Sequence, residues 1–317
     1  MDQRTGVTMQ KKILLPVADS IYSEQAIKYT TYVCSAMNDV TYTLFNVQPL
    51  IPEILIQEAN AEPAGVAELS EFIRGHVEAA RRTLDKHKEL MIRLGVDEHS
   101  IKTVTRPRQV GVAKDILNHA ERGGYDAIVL GRRSLTAAEE FFIGSIASKV
   151  IAHALEIPVW IVDGESTSMQ MLLAVDGSEN SLRVVDHVIS LVGNHPEVKL
   201  TLFHVQPYLR HHYGIVLERE KPYLQELLQR GDKHSMEIFY KEAYGRLMNA
   251  GLQESQIQTK TNTSSFHIST AILDEARQGG YGTVVIGRRG TRKAFFLGGA
   301  PMRLVHKISN QALWVIP

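Results

Sequence analysis

The sequence predicts an α/β fold built as two tandem doubly wound domains, each with a five-stranded parallel sheet flanked by helices. Three observations carry this. The length, 317 residues, suits two domains. Short apolar strands alternate with amphipathic helices from end to end. The alternation also restarts midway with its signature segments in the same order. TLFNVQP at Thr43–Pro49 returns as TLFHVQP at Thr201–Pro207, an offset of 158 residues with one difference. GGY, an apolar strand and Gly-Arg-Arg recur at an offset of 156, Gly123 against Gly279, and FFIG at Phe141 returns as FFLG at Phe295. Three ordered matches in one strand and helix context indicate duplication.

The elements follow in order. Ile13–Val17 is a continuous apolar run, as expected of a strand covered on both faces. Pro16 within it suggests an edge position or a local break. Ser20 to Ser23 can cap a helix bearing Ala26, Ile27, Tyr29 and Val33. Val40–Val47 reads as the second strand. Between Pro52 and Leu94 a piece broken around Ala61–Pro63 precedes a long amphipathic helix from about Ala67. Ile101–Val104 is a third strand, Val112–Ala120 a helix stopped by Gly123-Gly124, and Ala127–Leu130 a fourth strand. A helix over Ser145–Ala154 and a fifth strand, Pro158–Val162, complete the set. We expect a leader over residues 1–10, domains over 11–163 and 171–317, and a polar linker over 164–170.

Composition bounds the function. Lys+Arg and Asp+Glu both number 35, so no overall charge favours nucleic acid or an anionic membrane. Cys34 is the single cysteine, which leaves no intrachain disulfide and no cysteine metal cluster. No stretch approaches the roughly 18 apolar residues of a membrane span. The expected setting is soluble and cytoplasmic.

The segments that could carry chemistry are the two glycine loops. In each, a buried strand ends in Gly-Arg-Arg, and a later glycine precedes a helix whose N-terminal N–H groups and dipole suit an anion. The first loop has Gly131, Ser134, Gly144 and Ser145; the second has Gly287, Gly290 and Gly298, is two residues shorter and lacks a hydroxyl after its last glycine. Arg132, Arg133, Arg288 and Arg289 suit either bidentate phosphate contacts or a solvated rim paired with acids such as Glu139 and Glu140. Asp176, ending the strand Met171–Val175, could accept hydrogen bonds from a ribose or an adenine amino group, or simply start a turn or cap the next helix. Its aligned position in the first half is Ala18, with the acid one residue on at Asp19, which could serve as a cap. His119, His153, His204, His211, His212 and His306 are scattered without metal spacing and read as core-edge or surface residues. No phosphate-binding loop of the GxxxxGKS type, GxSxG elbow or kinase motif set is present.

On these residues the chain resembles a tandem universal stress protein, over essentially all of residues 11–317. The resemblance implies ATP or another adenine nucleotide as ligand, with Mg2+ only alongside it. It further implies Asp176 at the adenosine end, Val205 lining the adenine pocket through its backbone, and Gly287, Gly290 and Gly298 holding phosphates in the second domain. In the first domain Gly131, Gly144 and Ser145 match, Ser134 stands in for the second glycine, and Ala18 replaces the acid. The family also pairs its last strands. Pro158–Val162 and Leu313–Ile316, with Trp160 and Trp314, are therefore expected to join the two domains as an internal pseudo-dimer, which removes two exposed edges. A further homodimer is compatible with this. The leading expectation is a nucleotide-sensing regulatory protein, with unidentified protein partners and no efficient catalysis. The alternative is a scaffold that acts through protein contacts without nucleotide.

Overall fold

The computed structural model describes residues 10–37, 39–132, 145–193, 195–206, 222–263, 267–288 and 300–317. Ten strands form one continuous sheet: β1 (Lys11–Pro16), β2 (Val40–Gln48), β3 (Ile101–Pro107), β4 (Ala127–Gly131), β5 (Val159–Val162), β6 (Gln170–Val175), β7 (Lys199–Val205), β8 (Ile257–Asn262), β9 (Thr283–Gly287) and β10 (Ala312–Ile316). Their spatial order is β3-β2-β1-β4-β5-β10-β9-β6-β7-β8. Each half is a parallel five-stranded sheet with β1 or β6 at its centre, and the halves meet through an antiparallel β5–β10 pair. In that pair Trp314 lies opposite Trp160, so both final strands surrender their edges to each other.

The helices are α1 (Ile21–Val33), α2 (Glu53–Ala59), α3 (Pro63–Arg93), α4 (Val112–Gly123), α5 (Ser145–His153), α6 (Glu179–Val192), α7 (Pro222–Asn249), α8 (Ile268–Gln278) and α9 (Ala300–Lys307). Strand residues alternate between two cores: Ile13 and Leu15 pack on the side of α1, α3, α6 and α7, while Leu14 packs on the side of α4, α5, α8 and α9. Both cores run unbroken across the β5–β10 seam, because Trp160 and Trp314 belong to the first and Ile161 and Leu313 to the second.

Three local expectations are corrected. β1 is central, between β2 and β4, rather than an edge. Pro16 is tolerated because it ends the strand opposite Phe45, and β4 pairs only with Ile13 and Leu14 further back. The first-helix cap is Ser20, whose hydroxyl accepts from the Ser23 amide at 3.3 Å; Asp19 does not cap but pairs with Lys86 at 2.9 Å in solvent. The long helix starts at Pro63, earlier than the apolar pattern suggests, because a proline at the first helical turn sacrifices no hydrogen bond.

Candidate functional site

In each half the sheet order reverses beside the central strand, between β1 and β4 and again between β6 and β9, and the carboxyl ends of strands at such a reversal are where doubly wound sheets take ligands. In the second half Asp176 stands immediately after β6, followed by Gly177 at φ +77° and by Ser178, the N-cap of α6. One carboxylate oxygen, Oδ1, accepts from the Ser178 amide at 3.1 Å and from the Ser181 hydroxyl at 2.8 Å. The Asp176 amide in turn donates to Ser181 Oγ at 2.9 Å. Asp176 therefore does start the turn before α6. These bonds also fix the side chain at the carboxyl end of β6.

Around it lies a second polar pair that the sequence gave little reason to single out. His204, on β7 and 4% exposed, has Nδ1 at 3.0 Å from the Val175 carbonyl and Nε2 at 2.9 Å from Asp232 of α7. Both partners accept hydrogen bonds, so the geometry is satisfied by the doubly protonated ring. Burial opposes that charge, but the bonds to Asp232 and Val175 and the nearby charge of Asp176 outweigh it and raise the His204 pKa above 6.5. The aligned residue in the first half is Asn46, whose amide makes the same bond to the strand-end carbonyl, Val17, at 2.9 Å. A folded pKa above the unfolded value places the stabilisation at pH below about 6.5, and it fades as pH rises through the folded pKa. His204→Asn, copying Asn46, should thus cost about 1–2 kcal/mol in urea denaturation at pH 6 and little at pH 9. A cost equal at both pH values would exclude the charged pair.

In the first half Ala18 occupies the place of Asp176. Its amide is held by Ser23 Oγ at 3.0 Å, as Asp176 is by Ser181, and its carbonyl accepts from His87 Nε2 of α3 at 2.9 Å. The turn is retained and the carboxylate is missing.

Of the other predicted residues, Val205 ends β7, Gly287 ends β9 and Gly131 ends β4. Gly131 has a packing reason of its own: a Cβ there would come within 2.1 Å of the Tyr22 carbonyl in α1. Its being glycine is accounted for without a ligand. Ser145 is the first residue of α5, so that helix points its N-terminus toward the end of the first loop. Ser134, Gly144, Gly290 and Gly298 lie outside the described residues, as do Arg133, Arg289, Glu139 and Glu140.

Arg132 and Arg288 are buried at the seam rather than set on a solvated rim. Arg132 is 6% exposed and donates across the seam to the carbonyls of Ile308 and, at 2.8 Å, His306, at the C-terminal end of α9. Arg288, 5% exposed, donates in the opposite direction to the carbonyls of Ala154 and, at 2.8 Å, Ala152, at the end of α5. The last turn of a helix leaves carbonyls without partners and carries the negative end of its dipole, which a guanidinium fork satisfies. Backbone bonds set each arginine in place, Arg132 N to Val162 O at 2.7 Å and Arg288 N to Ile316 O at 2.6 Å. Each Gly-Arg pair thus ends its own domain's strand and caps the other domain's helix. Sequence reasoning missed this because the partner carbonyls belong to the other half of the chain.

Among the described residues no group of His, Cys, Asp and Glu could hold a metal ion, and no helix is long and apolar enough to cross a membrane.

The universal stress protein family model matches the chain twice, over residues 9–163 and 168–316. A universal stress protein of Methanocaldococcus jannaschii is 28% identical over 161 residues, covering 50% of this chain and 85% of that one. Among solved structures, a universal stress protein from Archaeoglobus fulgidus superposes with a TM-score of 0.66 at 17% identity, covering 97% of this chain and 98% of that chain. A universal stress protein from Pseudomonas aeruginosa gives 0.59 at 14% identity, with 98% and 94% covered. At these identities the superpositions speak for the fold.

Proposed function

Since the chain belongs to the universal stress protein family, we propose that it is a cytoplasmic regulatory protein of the stress response that binds an adenine nucleotide, ATP first among them, without efficient catalysis. The observation that carries the reading is Asp176: a carboxylate at the end of the second half's central strand, aimed by Ser178 and Ser181, beside the crevice where doubly wound sheets take ligands. The described residues fit the adenosine end of such a ligand. Asp176 would accept from ribose or adenine donors, and the Val205 backbone would line the base. Gly287, Gly290 and Gly298 would approach the phosphates in this domain, and Gly131, Ser134, Gly144 and Ser145 would do so in the other. Mg2+ would enter only with the nucleotide. The domains responsible span 11–163 and 171–317, with 164–170 between them, and unidentified protein partners would read the bound state.

Nucleotide binding should favour the second domain, because the first lacks the acid, a specific contact, while the second has a loop two residues shorter without the hydroxyl but would keep its backbone donors. The test is isothermal titration of ATP onto protein stripped of small molecules by denaturation and refolding. Asp176→Ala should weaken binding by roughly tenfold or more and Ser145→Ala by little. The reverse order would move the site to the first domain. Absence of binding heat at several temperatures would leave the scaffold reading, in which the duplicated fold acts through protein contacts.

A further inference from the structure

On the first domain, a cleft of about 280 Å³ lies between the β2–β3 edge of the sheet and α4. Its lining includes Phe45 of β2, Arg106 at the end of β3, and Asp115, Asn118, His119 and Arg122 of α4. Arg106 faces α4 because it is two residues on from Val104, which packs against the core on that side. Among the described residues neither Arg106 nor Arg122 forms an ion pair with an acid. The carboxylate in the lining does not serve them: both Asp115 oxygens are occupied by the amides of Gln109 at 3.0 Å and Val110 at 3.2 Å. His119 stacks on Phe45 with ring centroids 4.3 Å apart and planes 2° from parallel, and its Nε2 lies 3.2 Å from the Tyr125 hydroxyl. With the tyrosine donating, the ring proton sits on Nδ1 and adds a donor to two guanidiniums and the Asn118 amide.

The duplicated half supplies an internal comparison. At the offset of 156 residues His119 corresponds to Glu275, Val104 to Lys260, Arg106 to Asn262 and Arg122 to Gln278. There Lys260 pairs with Glu275 at 2.7 Å and Tyr281 donates to the same carboxylate at 3.0 Å, so the place is closed by an internal ion pair. The first half has exchanged that self-contained pair for two arginines, a histidine and an open cleft.

We infer that this cleft is a binding site for a small oxyanion-bearing metabolite, present in the first domain only and independent of the nucleotide reading. Its size lies at the small end of metabolite sites. Guanidinium forks and a ring N–H are the donors that bind phosphate or carboxylate. Burial and the neighbouring Arg106 hold the His119 pKa below its usual value, and an anion seated beside it would raise it.

The test follows the His119 ring resonances of the full chain by NMR, assigned with His119→Gln, during titration with inorganic phosphate and, separately, succinate. The double variant Arg106→Asn/Arg122→Gln, which copies Asn262 and Gln278, serves as the control. Saturable movement of the His119 signals with a raised pKa, weakened roughly tenfold or more in the double variant, is expected. A response to phosphate alone assigns a phosphorylated ligand, and a response to succinate alone assigns a carboxylate. His119 signals that ignore both anions, or that move equally in the double variant, overturn the proposal. Phosphate held at the glycine loops would bind without moving His119 and would persist in the double variant, so the two sites are separable.

Discussion

Replacing Arg132 or Arg288 by alanine is expected to destabilise the protein by about 3 kcal/mol each, in the absence of any nucleotide. Each side chain is buried and makes charge-assisted bonds to two helix-end carbonyls in the other domain. Its loss removes those donors from the carbonyls, and Arg132→Ala also removes the guanidinium 3.9 Å from Asp163. Lysine keeps the charge but offers a single point where the fork reached two oxygens, so Arg132→Lys should recover at most about half of the loss. Urea denaturation of the nucleotide-free protein decides between roles. A phosphate clamp would show unchanged stability and weakened nucleotide affinity, whereas the crossed cap shows lost stability whether or not nucleotide is added. Unaltered midpoints in both variants would remove the structural role.

The contrast shows which parts of the fold can be read from one chain. The alternation of strands and helices and the repeat were legible because continuous apolar runs and recurring TLFxVQP and GRR segments are local facts of the sequence, whereas the last-strand pairing was implied by the family resemblance. The serine cap of α1 was legible for the same reason. Pro16 misled because a proline rule for central strands does not say where along the strand the pairing stops. The arginines could not be assigned, since a GRR triplet looks the same whether its acceptor is a phosphate, an acid or a carbonyl more than a hundred residues away. His204 was discounted with the other histidines. The available signal was its alignment with Asn46: a residue able to donate to the strand-end carbonyl in both halves is fixed by that bond, and the histidine then has a second nitrogen to place. The same comparison exposes His187, which aligns with Tyr29 at the offset of 158.

Those two residues complete the seam and carry the second large expected effect. Trp160 and Trp314 stack with centroids 3.9 Å apart and planes 3° from parallel. Each indole N–H crosses to the other domain: Trp314 donates to the Tyr29 hydroxyl at 2.9 Å, and Trp160 donates to His187 Nε2 at 3.2 Å. Tyr29 is further tied to Thr283 at 2.6 Å. The pseudo-symmetric roles are matched, but one acceptor is a phenol and the other an imidazole. An imidazole that accepts at Nε2 must be neutral, and burial, reinforced by the charge of Lys11 and partly countered by Asp126, lowers the His187 pKa to about 3. A folded pKa below the unfolded value of 6.5 contributes stability that is fully present above pH 6.5 and is lost as pH falls toward 3. The full shift corresponds to at most about 5 kcal/mol. Because His187 keeps part of its surface in water, we expect about 2 kcal/mol to be lost between pH 6.5 and 4. His187→Tyr, which places Tyr29's side chain on the other side of the seam, should flatten the pH dependence in that window without affecting the decline of stability that His204 brings as pH rises through its raised pKa. Denaturation midpoints of the parent and variant from pH 4 to 9 test both limbs. Parallel curves below pH 6.5 would show that His187 does not titrate with unfolding, and the seam would then owe nothing to the protonation state of its single imidazole acceptor.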